Sequence, residues 1–269
     1  MPFRPHPGTR HLRFLQNPKG MNHSSEERLV GGRVAPQRIA AVLLGVVLVL
    51  AAAHVVTKIL WGFVFPRYHL NYYHYIYGAY HFFDIARGSN LPAYFSTLIK
   101  LSAGLLAATI AASERKAGER DWRYWAFLAG GFLWLSLDEG AKVHDTLVTH
   151  LFNVLFPGTR LGAYGWFVVY IPLLIGAGVA FVPFLKRLSR EHRAWIVAGG
   201  VIFFGGGLGV EMIESALNGR GPNKMWIDIA VLIEETLEMV GIVVFNYAFL
   251  TYCADHGIGV QLRPASPSG

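Results

Sequence analysis

A single cysteine in 269 residues leaves Cys253 without an intrachain partner, which excludes structural disulfides and dithiol redox chemistry. Charge is sparse as well: Lys, Arg, Asp and Glu supply 15% of the chain, against about 25% in ordinary soluble domains. Neither a Gly-x-Ser-x-Gly nucleophile turn nor a phosphate-binding loop occurs, so two common routes to hydrolysis are missing. What is abundant is apolar sequence, at 53% of residues and a mean hydropathy of +0.37.

The apolar residues fall into six runs, with approximate bounds Arg38 to Phe65, Pro92 to Ser113, Trp122 to Phe156, Tyr164 to Leu185, Ala194 to Leu217 and Trp226 to Tyr252. About twenty residues cross a bilayer core as a helix, and in lipid a helix satisfies its own backbone polar groups. The expected fold class is therefore all-α, a polytopic membrane bundle of about six transmembrane helices. Its expected organisation is a disordered basic tail over 1–37, a transmembrane domain over 38–252 and a C-terminal tail over 253–269. Met21 is an alternative start to Met1, since the stretch before it is rich in Pro, His and Arg. Ala51-Ala52-Ala53 is read as part of an uncleaved anchor, because apolar sequence resumes at Val55.

Basic residues orient the bundle. Seven lie at the N-terminus up to and including Arg38, and Arg115, Lys116, Arg120 and Arg123 follow the second run; Lys186, Arg187, Arg190 and Arg193 follow the fourth. The positive-inside rule places both termini in the cytoplasm of a bacterial inner membrane. The formal net charge of +7 is then a topology signal, and nucleic acid is not an expected partner.

Nine of the seventeen acidic residues nevertheless lie inside the apolar runs: Asp138, Glu139, Asp145, Glu211, Glu214, Asp228, Glu234, Glu235 and Glu238. A carboxylate at the centre of a membrane helix costs about 2.5 kcal/mol or more, so such residues mark function or a compensating charge. With 1.5 Å of rise per residue, Glu139 and Glu211 lie about 25 Å from the cytoplasmic ends of their helices, and Glu235 and Glu238 lie about 13 to 18 Å below the outer surface. All three groups fall in the outer half of the bilayer. The first outer loop is expected to hold an amphipathic aromatic helix, with His74, Tyr77, His81 and Asp84 on one face.

Several carboxylates with an imidazole from different helices form a ligand set for iron, manganese or zinc. The expected metal ligands are Glu139, His144, Glu211, Glu235 and Glu238. Asp138, Glu214 and Glu234 stand behind them, and His81 and Asp84 stand at the entrance. His144 lies about 140° around an ideal helix from Glu139, so both face one ion only if a π-bulge intervenes near Gly140. Asp138 and Lys142 are spaced for an ion pair. The glycines from Gly199 to Gly209 allow the fifth helix to press close to its neighbours and bring Glu211 towards Glu235 and Glu238.

A site reached sideways from the bilayer suits a lipid-soluble substrate such as a quinone, isoprenoid or lipid. Two further readings stand beside metal chemistry: a proton- or cation-coupled transporter, and an accessory subunit with membrane-protein partners. In the accessory reading Lys58, Lys100 and Lys142 neutralise some of the acids. The segments Tyr124 to Trp134 and Trp195 to Gly207 hold almost no polar side chains, which counts against a channel.

An intramembrane metalloenzyme, an oxidoreductase or a hydrolase, stays open, though the motifs of several familiar intramembrane enzymes are not matched. Membrane desaturases need clustered His-x-x-x-His motifs, and the Glu-Glu-x-x-x-Arg of CAAX-type proteases would need arginine at Met239. The blocks Phe83 to Ser96, Leu135 to Asp145, Gly209-Val210-Glu211 and Glu234 to Gly241 together resemble a widespread, uncharacterised family of bacterial multispan membrane proteins. The resemblance covers roughly residues 80 to 250 and implies bacterial origin, with no activity attached.

Overall fold

A computed structural model of the chain describes residues 35–64, 73–143, 147, 149–159, 166–218 and 224–258. These form eight α-helices and no strand: α1 Pro36–Ile59, α2 Tyr73–Phe83, α3 Leu91–Ala117, α4 Trp122–Ala141, α5 Thr149–Leu155, α6 Trp166–Arg187, α7 Arg190–Asn218 and α8 Lys224–Asp255. Among the described residues three stretches are long and apolar enough to cross a membrane: Pro36–Gly62, Leu91–Ala117 and Arg190–Val210. The expected tails over 1–37 and 253–269 fall largely outside the described residues, as do both candidate start methionines.

Helix ends follow local chemistry. The Asn90 side chain accepts a hydrogen bond from the Ala93 amide at 3.2 Å, and Pro92 sits in the first turn of α3, where a missing N–H costs nothing. Gly118 closes the same helix at φ 78°, a left-handed conformation that glycine adopts without strain, and Arg115 and Lys116 lie in the last turn. The third apolar run departs from expectation. It is not one helix from Trp122 to Phe156: α4 stops at Ala141, and Lys142 adopts φ 51°. The α-helix therefore closes just beyond Gly140, Val143 and Leu147 are again in helical conformation, and His144, which only a bulge would bring towards Glu139, lies outside the described residues.

Pairing of helices rests on small residues. Ala103, Ala107 and Ala111 form a buried stripe on α3, and a Cβ on Gly104 would stand 2.9 Å from the Leu133 side chain of α4. On the other side α7 lies along α8: a Cβ on Gly241 would stand 2.6 Å from the Phe203 backbone nitrogen. α8 also contacts α1 and α3 and so joins the two pairs. Trp125, Phe184, Phe249 and Ile110 are wholly buried at the end of the bundle away from Asn90. Aromatic edges meet there, with Trp125 to Phe184 at 5.4 Å and Trp125 to Phe249 at 5.5 Å.

Candidate functional site

Lys100 lies on the buried face of α3, only 3% exposed. A lysine in apolar surroundings needs counter-charge within hydrogen-bond reach. Its Nζ donates to Glu139 Oε2 of α4 at 2.6 Å and lies 3.5 Å from Glu238 Oε2 of α8. The Phe203 ring of α7 adds a face 5.8 Å away. Four helices thus converge on one ammonium. Gly207 makes the arrangement possible, since a Cβ there would overlap Glu238 Oε1. Glu235 lies one turn before Glu238 on the same helix, and both it and Glu234 are half-buried.

Neighbouring polar contacts hold these helices in phase. Asn246 of α8 is buried and donates to the carbonyls of Ile99 at 2.9 Å and Ile242 at 3.0 Å, while its Oδ1 accepts from Ser102 at 2.6 Å. Ser136 of α4 donates to the Thr97 carbonyl at 2.9 Å. Both links touch α3 within one turn of Lys100, so they fix the rotation that points the ammonium at its carboxylates.

A second polar group ties α1 to the start of α3. His54 is buried, its Nδ1 accepts from the Ile85 amide at 3.1 Å, and the Asp84 carboxylate stands 3.5 Å away. Arg87 pairs with the other Asp84 oxygen at 3.3 Å, and Asn90 donates to the Asp84 carbonyl at 2.5 Å. Burial, followed by the nearby Asp84 carboxylate, raises the Tyr80 phenol above its ordinary range. Lys58 of α1 pairs with Asp228 of α8 at 2.9 Å. At the opposite end Tyr252 donates to Glu114 at 2.7 Å, and Arg187 holds Asp121 at 2.6 Å, which raises the guanidinium pKa.

The residues singled out in the sequence therefore distribute as follows. Glu139 and Glu238 meet at Lys100, Glu235 and Glu234 lie one turn away on α8, and Asp138 is buried on α4. Asp84 turns towards His54 and Arg87. His81 packs on Tyr77 with ring centres 4.0 Å apart, and neither of its ring nitrogens has a hydrogen-bond partner among the described residues. His144 and Asp145 lie outside the described residues, and the side chains of His74, Glu211 and Glu214 do too. Among the described residues no three His, Cys, Asp or Glu side chains are grouped as metal ligands.

The central position of Lys100 was not evident beforehand. Its one sequence signal is a lysine in the middle of an apolar run, and that signal does not say which acids it meets. His54 carried no comparable signal, because its partners are a backbone amide and an aspartate thirty residues on.

No curated protein and no solved structure matches the chain. A family model does match, over residues 40–253, and on that coverage the chain belongs to the family described as Domain of unknown function (DUF8692).

Proposed function

We propose that this is a multi-pass protein of the bacterial inner membrane in which the Lys100, Glu139, Glu235 and Glu238 cluster takes up and releases a proton while handling a lipid-soluble substrate. Six spanning helices fit the dimensions, and the basic loops favour cytoplasmic termini. α4, α6 and α8, with 20, 22 and 32 residues, are about 30, 33 and 48 Å long at the helical rise, enough for a core of about 30 Å.

The observation that carries the reading is the Lys100 ammonium held 2.6 and 3.5 Å from carboxylates of two other helices. Two carboxylates pair with one ammonium and a third, Glu235, lies one turn before Glu238 on α8; like charges this close in a low dielectric are relieved when one of them holds a proton. Divalent iron, manganese or zinc on the same carboxylates is the competing reading. It is less favoured because a cationic group already occupies the space between Glu139 and Glu238.

Infrared titration of the protein in lipid nanodiscs tests the choice. A carbonyl stretch from a protonated carboxyl that titrates, and is lost in Glu235→Gln or Glu238→Gln, is the expected result; its absence at every pH overturns the proton reading. Near-stoichiometric metal that disappears in a Glu235→Ala/Glu238→Ala variant of matched fold would establish the metal site instead.

A further inference from the structure

Beside Glu139 the helices leave a groove of about 760 Å³, within the range of about 300–1,000 Å³ typical of small-molecule sites. Gly78 and Phe82 of α2 form one wall, Tyr94 and Thr97 of α3 the other, and Glu139 lies at the end of α4. Its lip is apolar and faces outward: Phe82 is 51% exposed and Tyr94 65%. The same outward face of α3 continues through the exposed Leu98, Leu101 and Leu105. A bilayer around the bundle covers this face, so the groove opens to lipid.

The polar atoms on the walls are mostly committed. Thr97 donates to the Ala93 carbonyl at 2.9 Å, and Asn90 is spent on the Ala93 amide and the His81 and Asp84 carbonyls. Glu139 differs. Its Oε2 is held by Lys100, while its Oε1 makes no hydrogen bond among the described residues, and the side chain is 21% exposed. A carboxylate oxygen only accepts, so its complement is an O–H or N–H donor. An anionic headgroup would place like charge against Glu139, and a cationic one would compete with Lys100 for it.

From this geometry we infer that the groove binds a membrane-soluble alcohol, an uncharged hydroxyl on a long apolar chain, with the hydroxyl donating to Glu139 Oε1 and the chain lying between Phe82 and Tyr94. A prenyl alcohol and a quinol share this chemistry. The inference deepens the proposed function and rests on its membrane placement of Glu139.

The test is equilibrium binding to the full chain in nanodiscs, with radiolabelled farnesol and reduced decylubiquinone as separate probes and farnesyl diphosphate as the anionic control. Saturable binding of one or both hydroxyl probes is expected, at one per chain, with the control weaker by roughly tenfold or more. The blocking variant is Gly78→Trp, built on a glycine whose added Cβ would meet nothing within 4 Å, so it fills the groove without disturbing Lys100. It should weaken binding of the hydroxyl probe by roughly tenfold. Failure of both probes to saturate, equal binding of the diphosphate, or indifference to Gly78→Trp overturns the inference. A titrating carboxyl band in protein that binds neither probe would sink this inference and leave the proton reading standing; binding without the band would do the reverse.

Discussion

An ammonium removed from water loses several kcal/mol of hydration, which close carboxylates offset only when the geometry is good. Lys100 meets that condition through Glu139 at 2.6 Å and Glu238 at 3.5 Å. Lys100→Met leaves two carboxylates facing each other without a cation. It should cost about 3–5 kcal/mol in reversible unfolding from mixed micelles. Adding Glu139→Gln and Glu238→Gln to that variant should recover most of the loss, since uncharged partners carry no unpaired charge. Equal costs for the single and triple variants would show that the pairing does not hold the helices. At this scale the sequence exposed the acids and a lysine among apolar neighbours. Their pairing stayed hidden, because Lys58, Lys100 and Lys142 were equally available by depth.

Helices approach each other only as closely as their contact residues permit, and α7 and α8 meet through glycine. At Gly241 a Cβ would lie 2.6 Å from the backbone nitrogen and 2.8 Å from the Cα of Phe203. Backbone atoms cannot rotate aside, so Gly241→Ala must displace α7 and should cost about 1–3 kcal/mol in the same unfolding assay. Gly205→Ala is the control: nothing lies within 4 Å of its added Cβ, and helix propensity favours it by up to about 1 kcal/mol. If the two substitutions cost the same, the close approach of α7 to α8 is not what the glycines provide. A glycine-rich fifth helix was legible from the sequence, as was the short aromatic helix α2. The end of α4 at Lys142 was not, because the left-handed position is taken by a lysine while Gly140 lies inside the last helical turn, and the apolar run continues past it.

Across the whole molecule, the proposed arrangement of six spans predicts sidedness. A green fluorescent protein fused after Gly269 should fluoresce, and an alkaline phosphatase fused near Arg160 should be active, since the first stays cytoplasmic and the second is exported. The opposite pair of results would overturn the proposed orientation. The all-helical class followed from composition and run length alone, because a chain this apolar hides its backbone polar groups in lipid by closing hydrogen bonds within each helix. The convergence of Glu139 and Glu238 on Lys100 did not follow from the chain order. Successive residues are turned by about 100° around a helix, so an error of one position in phase swings a side chain off the site. That phase is set by contacts between distant segments: Gly104 of α3 against Leu133 of α4, Gly241 against Phe203, and Asn246 on the Ile99 carbonyl.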